Sequence, residues 1–160
     1  MAGTFWMLVS SPENFERARA TGFSVLAMKS RHVRKAERVR PDDRVVFYVV
    51  GQMAFAGTFT VTSTFFESHD PLFQSKKDGE DYPYRFEVRP DTVLAAGQFV
   101  PATSLLVDLQ FVKKWPAEHW HLAFQGNVHT LTPQDFATIE QAIEQATGKQ
   151  ALESGAPASA

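Results

Sequence analysis

The chain has 160 residues, a formal net charge of −2 and no cysteine. This length suits one domain with one substantial core. The lack of cysteine excludes a disulfide framework and a thiolate metal site, and it agrees with a reducing compartment. The sequence has no basic start followed by a long apolar run, and no apolar stretch long enough to span a bilayer. These features predict a cytoplasmic globular protein without a signal peptide or a membrane span.

The first part of the chain alternates short strand patterns with turns. Ser11 and Pro12 supply a cap and a first-turn proline for a short helix that Gly22 ends. A helical turn is expected near residues 32–37. Aromatic and β-branched runs predict strands. They lie at 4–9, 23–27, 44–50 and 54–66, the last with Gly57 marking a bulge.

The second part of the chain predicts a long loop, further strands and one clear helix. The polar segment 67–82 is expected to be the loop. Residues 84–89 and 93–102 are expected to be strands, and 103–106 a helical turn. The final helix begins at Thr132-Pro133, and it buries apolar residues at helical spacing before Gly148 ends it. We expect one domain over 1–148 and a disordered tail over 149–160, which is rich in Ala, Ser and Gly.

Positive charge is concentrated in one segment. Seven Lys or Arg and three Asp or Glu residues lie between Lys29 and Arg44, a local net charge of +4 on an otherwise acidic chain. Such a segment favours a localised anion-binding face. A solvated loop or helix face is the alternative that charge alone leaves open.

Motifs for catalysis, metals and cofactors are missing. We find no nucleophile elbow, no Gly-rich phosphate loop and no His-Glu-x-x-His pattern. His119-Trp120-His121 places two imidazoles on one face of a strand, if this segment is one, but a third ligand is not evident. The sequence therefore predicts no metal, no cofactor and no catalytic residue.

Trp6 has two interpretations. It lies on the first predicted strand, which ends at Ser10-Ser11, where a flat ring beside small hydroxyls suits the stacking of a planar ligand. The alternative is that Trp6 belongs to the core, as most large aromatic residues do.

Several short segments follow one another in a specific order. An aromatic strand ends in Ser-Ser-Pro-Glu, a basic connection leads to a Phe-Tyr strand, and an Asp-Pro loop precedes a Tyr-Pro-Tyr-Arg strand. In chain order the segments are Phe5 to Glu13, the connection from Lys29-Ser30 to the strand at Arg44 to Tyr48, His69 to Phe73, and Tyr82 to Val88. Phe111 to Lys114 and the closing Thr-Pro-Gln-Asp-Phe helix follow them. In this order they resemble the EVE domain family across about residues 4–147.

The resemblance implies an α+β fold, a PUA-like bent β-barrel flanked by short helices and related to the YTH and ASCH domains. In these relatives a pocket takes a flipped, often modified base. Carried onto this chain, the base-pocket residues are Trp6, Ser10, Ser11, Lys29, Ser30, Tyr48, Asp70, Pro71 and Tyr84, and the phosphate-binding residues are Arg31, Arg34, Lys35 and Arg38. Two positions depart from the family pattern: Val9 replaces a usual lysine, and Arg31-His32 replaces an Arg-Asn pair.

The resemblance implies a binding domain for nucleic acid, DNA or RNA, that reads a modified or flipped base in an aromatic-lined pocket. The alternative is a small hydrolase of a modified nucleoside, as among ASCH-like relatives, with Lys29, Ser30 and Glu87 in the chemical roles. His32 stands where those enzymes have a threonine. An interaction module with an empty pocket is a third interpretation. Oligomeric state is not indicated.

Overall fold

The computed structural model describes residues 3–73 and 81–153. Within these ranges eight strands form one curled sheet in the order β2-β6-β4-β3-β1-β8, with β5 paired to β6 and β7 paired to β4. The strands are β1 (Phe5–Ser10), β2 (Val25–Met28), β3 (Arg44–Val49), β4 (Ala54–Val61), β5 (Phe66–Glu67), β6 (Tyr84–Val93), β7 (Val100–Pro101) and β8 (Val128–Leu131).

Helices flank the sheet. Three of the described helices are α-helical: α1 (Pro12–Ala20), α2 (Val33–Ala36) and α3 (Pro133–Glu153). Short 3₁₀ helices cover Ser30–His32, Ala102–Ser104, Phe111–Lys114 and Ala117–Phe124. A curled mixed sheet with short helices around it is an α+β fold of the expected PUA-like kind, so the predicted fold class is confirmed.

The turn from β1 into α1 follows from local sequence. The Ser11 side chain accepts a hydrogen bond from the Asn14 main-chain N–H at 3.1 Å, and Pro12 occupies the first turn, where its missing N–H costs nothing. The helix ends at Ala20, and Gly22 follows with a φ of +74°, which favours glycine. The predicted cap, proline and glycine stop are confirmed.

The two central strands are buried on both faces. β1 pairs in parallel with β3 and antiparallel with β8. Inside the curl lies an inner core, which includes Trp6, Leu8, Phe15, Phe47, Phe59 and Phe86. On the other face lies an outer core under α3, which includes Met7, Tyr48, Phe55, Phe124, Phe136 and Ile139. Alternate residues of β1 and β3 therefore enter different cores.

A bulge at Gly57 bends β4. The pairing of β4 shifts register opposite Phe47 and Tyr48, and a Cβ at Gly57 would lie 2.7 Å from the Thr92 carbonyl oxygen. The predicted bulge is confirmed. The prediction of one strand over 54–66 is wrong, because β4 ends at Val61 and Phe66–Glu67 pairs separately with β6.

The second half of the chain differs from its sequence pattern in three places. The strand expected over 93–102 is reduced to β7, because β6 itself continues to Val93. β8 was not predicted, since its four residues give too short a pattern. The helix α3 begins as predicted but passes through Gly148 to Glu153, at the modest cost of one internal glycine. The remaining predicted tail, 154–160, lies outside the described residues.

Asn127 joins the two edges of the curled sheet. Its side-chain NH₂ donates to the Val9 carbonyl at 3.2 Å, and its side-chain oxygen accepts the Lys29 main-chain N–H at 3.0 Å. Its own carbonyl accepts the Val9 N–H at 2.8 Å. Asn127 thereby holds the end of β2 beside β1 and the start of β8, and this arrangement creates the mouth of the inner core.

Candidate functional site

A small cavity opens where the inner core reaches the surface. It lies between the end of β1, the first turn of α1, the end of β2, β3 and the segments beside residues 73 and 82. The residues that line it are Leu8, Ser10, Asn14, Leu26, Ala27, Phe47, Phe73, Tyr82 and Asn127. The walls are mostly apolar with a few polar groups, which is the usual composition of a small-molecule or base pocket.

The cavity is narrow. Its volume is about 10 Å³, which is room for about one water molecule. Phe73 and Tyr82 stand edge to face at its side with ring centroids 5.9 Å apart. At this size the cavity admits a planar ring only after a wall side chain turns aside, and it has no room for an extended ligand.

Asn14 and Asn127 are the amide side chains of the cavity. Each is only 3% exposed. Asn127 is fixed by its contacts with Val9 and Lys29, so it serves to position the walls. Asn14 lies in the first turn of α1, and an amide side chain has both donor and acceptor groups. An amide in an apolar cavity is suited to read the hydrogen-bonding edge of a ligand.

Arg85 holds the aromatic wall in place. This arginine is 5% exposed on β6, and its Nε donates to the Tyr82 carbonyl at 3.1 Å. Its two terminal nitrogens donate to the Ser68 hydroxyl and to the Asp70 carbonyl. One guanidinium thus ties the segment before Phe73 to the segment that carries Tyr82.

His69 adds a second tie near the same wall. Its Nδ1 lies 2.8 Å from the Asp81 carboxylate and its Nε2 lies 2.8 Å from the Glu67 carboxylate. Both carboxylates accept hydrogen bonds, and these contacts raise the pKa of the His69 ring. The His69 ring therefore bridges β5 to the residue that precedes Tyr82.

Basic side chains lie beside the cavity in what we call the rim cluster: Lys29, Arg31, His32, Lys35 and His129. Lys29 carries its Nζ 5.7 Å from the centre of the Tyr82 ring. Lys35 donates from Nζ to the Val128 carbonyl at 3.0 Å, next to Asn127. Lys29 thus contacts the cavity residue Tyr82, and Lys35 contacts Val128, which follows the cavity residue Asn127 in the chain. Cationic groups therefore lie at the edge of the cavity.

The pKa values of both histidines in the rim cluster are lowered, which favours their neutral forms. Burial, followed by the charges of Lys35, Arg31, Lys29 and His129, lowers the pKa of His32 to about 4. Burial also lowers the pKa of His129, although its hydrogen bond to the Gln125 carbonyl opposes the shift. Because a carbonyl only accepts, Nε2 of His129 carries the proton.

Trp6 does not line the cavity in the way that its sequence context suggests. The residue is fully buried in the inner core, and its indole N–H donates to the Asp43 carboxylate at 3.0 Å. Arg38 covers the ring from outside at 5.7 Å. Of the two interpretations of Trp6, the stacking surface is wrong and the core residue is right, because the neighbouring strands and Arg38 leave the ring no open face.

The structure also corrects the predicted position of Tyr48 in the base pocket. It follows Phe47 on β3 and therefore points to the opposite face of the sheet, where its ring stacks on Phe124 at 4.3 Å. Burial there raises the pKa of Tyr48 to about 12. Tyr48 lines a separate open groove with Met53 and His121, and the sheet separates this groove from Ser10.

Among the other predicted pocket residues, Ser10 lines the cavity, and the remaining ones do not: Ser11, Lys29, Ser30, Asp70, Pro71 and Tyr84. Ser11 caps α1, and the Ser30 N–H donates to the Asp81 carbonyl at 3.2 Å. Asp70 and Pro71 are exposed next to the segment that Arg85 holds. Tyr84 packs against Phe65 at 5.8 Å. Of the predicted phosphate contacts, Arg31, Arg34 and Arg38 are exposed and Lys35 is half-buried.

Of the nine residues that line the cavity, only Ser10 was predicted as a site residue, and those missed include Asn14, Phe73, Tyr82 and Asn127. Asn14 had a usable signal, since it lies on the same face of α1 as the buried Phe15 and Ala18. A polar residue on an apolar helix face indicates a buried contact. Asn127 had no such sequence signal, because its hydrogen-bond partners Val9 and Lys29 are 118 and 98 residues away in sequence.

The residues considered for metal binding and hydrolysis do not assemble a site. His119 and His121 lie in a 3₁₀ helix rather than a strand, and in the described part of the chain no three ligating side chains face a common point. Glu87 pairs with Val25, four residues before Lys29, so about 13 Å of strand separates Glu87 from Lys29. The geometry does not bring Lys29, Ser30 and Glu87 together.

Across residues 3–73 and 81–153, no helix has both the length and the apolar character that a bilayer crossing requires.

The chain is similar to other proteins over most of its length. A UPF0310 protein of Pyrococcus horikoshii is 26% identical over 151 residues, covering 88% of this chain and 99% of the relative. The YTH domain of Zygosaccharomyces rouxii MRB1 protein, solved with N6-methyladenosine RNA, has a TM-score of 0.63 and 16% identity over 89% of this chain and 87% of that chain. Human THYN1, solved with 5-methylcytosine-containing DNA, has a TM-score of 0.58 and 15% identity over 89% and 98%.

The fold is similar to that of the YTH domain, as the sequence resemblance implied, and also to that of THYN1. The family assignment has its own support, because the EVE domain model matches residues 4–142. The chain therefore belongs to the EVE domain family.

Proposed function

We propose that this chain binds nucleic acid and holds one unstacked, modified base in the cavity between Asn14 and Tyr82. The observation that carries the proposal is the meeting of an aromatic-walled cavity with the rim cluster. Aromatic rings and an amide recognise an extruded base, and cations beside them bind the backbone phosphates.

The energetics require both parts of the site. Extruding a base costs a few kcal/mol, and stacking on one aromatic ring returns about 1–3 kcal/mol. Stacking alone therefore roughly balances extrusion, and phosphate contacts supply the affinity. The complexes of the two structural neighbours, one with N6-methyladenosine RNA and one with 5-methylcytosine DNA, support a methylated base as the ligand.

The cavity wall is tested by a pair of tyrosines two residues apart. Tyr82→Leu is expected to weaken oligonucleotide binding by about 1–3 kcal/mol, because it removes a stacking surface that lines the cavity. Tyr84→Leu is the matched control, since Tyr84 packs against Phe65 instead. Fluorescence anisotropy with methylated and plain DNA and RNA oligonucleotides measures both. A loss in Tyr84→Leu with none in Tyr82→Leu contradicts the assignment of the cavity.

The basic surface is tested by salt dependence. The double variant Arg31→Ala/Arg34→Ala is expected to weaken binding to all sequences alike and to reduce the slope of log affinity against log salt by about 1 to 2. Both side chains are exposed in the basic segment, which favours phosphate contacts over a structural role.

The control for this double variant is Lys113→Ala/Lys114→Ala, which removes the same charge from the exposed 3₁₀ helix over Phe111–Lys114. Binding titrations over a salt series compare the two. Equal slopes in both variants contradict the proposed interface, because the effect then depends on total charge and not on position.

A further inference from the structure

Charged groups from several segments surround His32. Arg31 and Lys29 flank it in the chain, Lys35 comes from α2, and His129 comes from β8. Asp81 is close through its main chain, where its carbonyl accepts the Ser30 N–H, but its carboxylate contacts His69. The fixed charges that act on the His32 ring, those of Lys29, Arg31 and Lys35, are therefore all cationic.

The His32 ring also has an unsatisfied atom. Its Nε2 is buried, and no residue in the described ranges gives it a hydrogen-bond partner. A buried polar atom without a partner costs free energy and calls for an explanation, such as a ligand that supplies the missing contact. In a cluster of cations the fitting ligand is an anion, and the adjoining cavity makes a nucleic-acid phosphate the anion of choice.

We infer that His32 is a proton-coupled phosphate ligand, which is neutral in the free protein and takes up a proton from solvent when a nucleic-acid phosphate enters the rim cluster. This inference rests on the proposed function and adds the regulation of the same site. The imidazolium then donates from Nε2 to a phosphate oxygen in a charge-assisted hydrogen bond.

Linkage gives the sign of the pH effect. Burial, followed by the repulsion from Lys35, Arg31 and Lys29, holds the pKa of His32 at about 4 in the free protein. A phosphate beside the ring raises this pKa, because its negative charge and its hydrogen bond favour the imidazolium. Because the complex then binds the proton more tightly than the free protein, affinity increases as pH falls. If the complex restores the ordinary pKa of 6.5, affinity rises about tenfold between about pH 7.5 and about pH 5.5.

Folding responds to pH in the opposite direction. A lowered pKa in the folded state means that the unfolded chain takes up the proton first, so the free protein loses stability as pH falls from about 6.5 towards 4. Partial unfolding therefore weakens binding at low pH and does not mimic the expected gain.

The experiment combines NMR and binding. The His32 ring is titrated by NMR with and without a short single-stranded oligonucleotide of mixed sequence, as DNA and as RNA. Binding by anisotropy at about pH 7.5 and about pH 5.5 compares the wild type with His32→Gln and with His119→Gln, an exposed histidine outside the cluster. We expect a raised pKa of His32 in the complex, a roughly tenfold gain in affinity in the wild type and in His119→Gln, and no gain in His32→Gln.

Two different results separate the inference from the proposed function. An oligonucleotide that binds while the pKa of His32 stays near 4, or a gain that persists in His32→Gln, overturns the inference and leaves nucleic-acid binding intact. No binding of DNA or RNA by the wild type at low salt, at either pH, overturns both.

Discussion

Trp6→Ala is expected to lower the free energy of unfolding by about 3–5 kcal/mol and the melting temperature by about 10 °C or more. The residue is fully buried, so its removal leaves a cavity in the inner core. It also leaves the buried Asp43 carboxylate without one of its donors, the others being the main-chain N–H groups of Thr4 and Arg40. Calorimetry and urea denaturation measure the loss.

Two further tryptophan variants separate the causes. Trp6→Phe keeps most of the buried ring and loses the hydrogen bond to Asp43, so we expect a loss of about 1–3 kcal/mol. Trp115→Ala, at a site 39% exposed, is expected to cost less than about 1 kcal/mol. A stable Trp6→Ala protein with weakened oligonucleotide binding would falsify the core assignment and restore Trp6 to the pocket.

Arg85→Met is expected to have the second large effect, on stability and on binding together. The change keeps an unbranched side chain but leaves the Asp70 and Tyr82 carbonyls without their donor, at about 1–2 kcal/mol each. Because these contacts fix the segments that carry Phe73 and Tyr82, oligonucleotide affinity is also expected to fall by about tenfold or more.

The measurement requires both a melt and a titration at a temperature where the variant is folded. Arg89→Met is the control, since Arg89 lies on the same strand with its side chain 65% exposed. Arg85→Lys keeps the charge but loses the planar guanidinium, so its stability and affinity are expected to lie between those of Arg85→Met and Arg89→Met. If Arg85→Met loses stability but keeps full affinity, Arg85 supports the fold and does not position the cavity wall.

Local sequence signals were sufficient for several elements. The Ser11 cap, Pro12 and Gly22 predicted α1 and its end, and Thr132-Pro133 predicted the start of α3. These features depend on hydrogen bonds between residues a few positions apart, such as Ser11 with Asn14. The Gly57 bulge was also readable, because glycine within a strand pattern indicates close approach of another backbone.

The sequence did not indicate which side chains of the central strands β1 and β3 point to which face of the sheet. Trp6 and Tyr48 both lie on apolar runs, and both faces of β1 and β3 are covered by core. Strands covered on both sides show no alternation of polar and apolar residues. Which face opens to the cavity is decided by what packs on each side, so Ser10 lines the cavity and Tyr48 lies on the opposite face.

Sequence by itself determined the fold class, the family, the basic segment and the elements at the start of the chain. The tertiary structure decided the composition of the candidate site, because Asn14, Tyr82 and Asn127 meet only when the sheet curls and its two edges join. It also decided that His32 lies among cations with a buried, unpartnered nitrogen in the described part of the chain. The physical reason is the distance along the chain between interacting residues. Caps and turns are fixed by residues that are neighbours in sequence. A cavity and the electrostatic potential in it depend on residues that folding brings together from all parts of the chain.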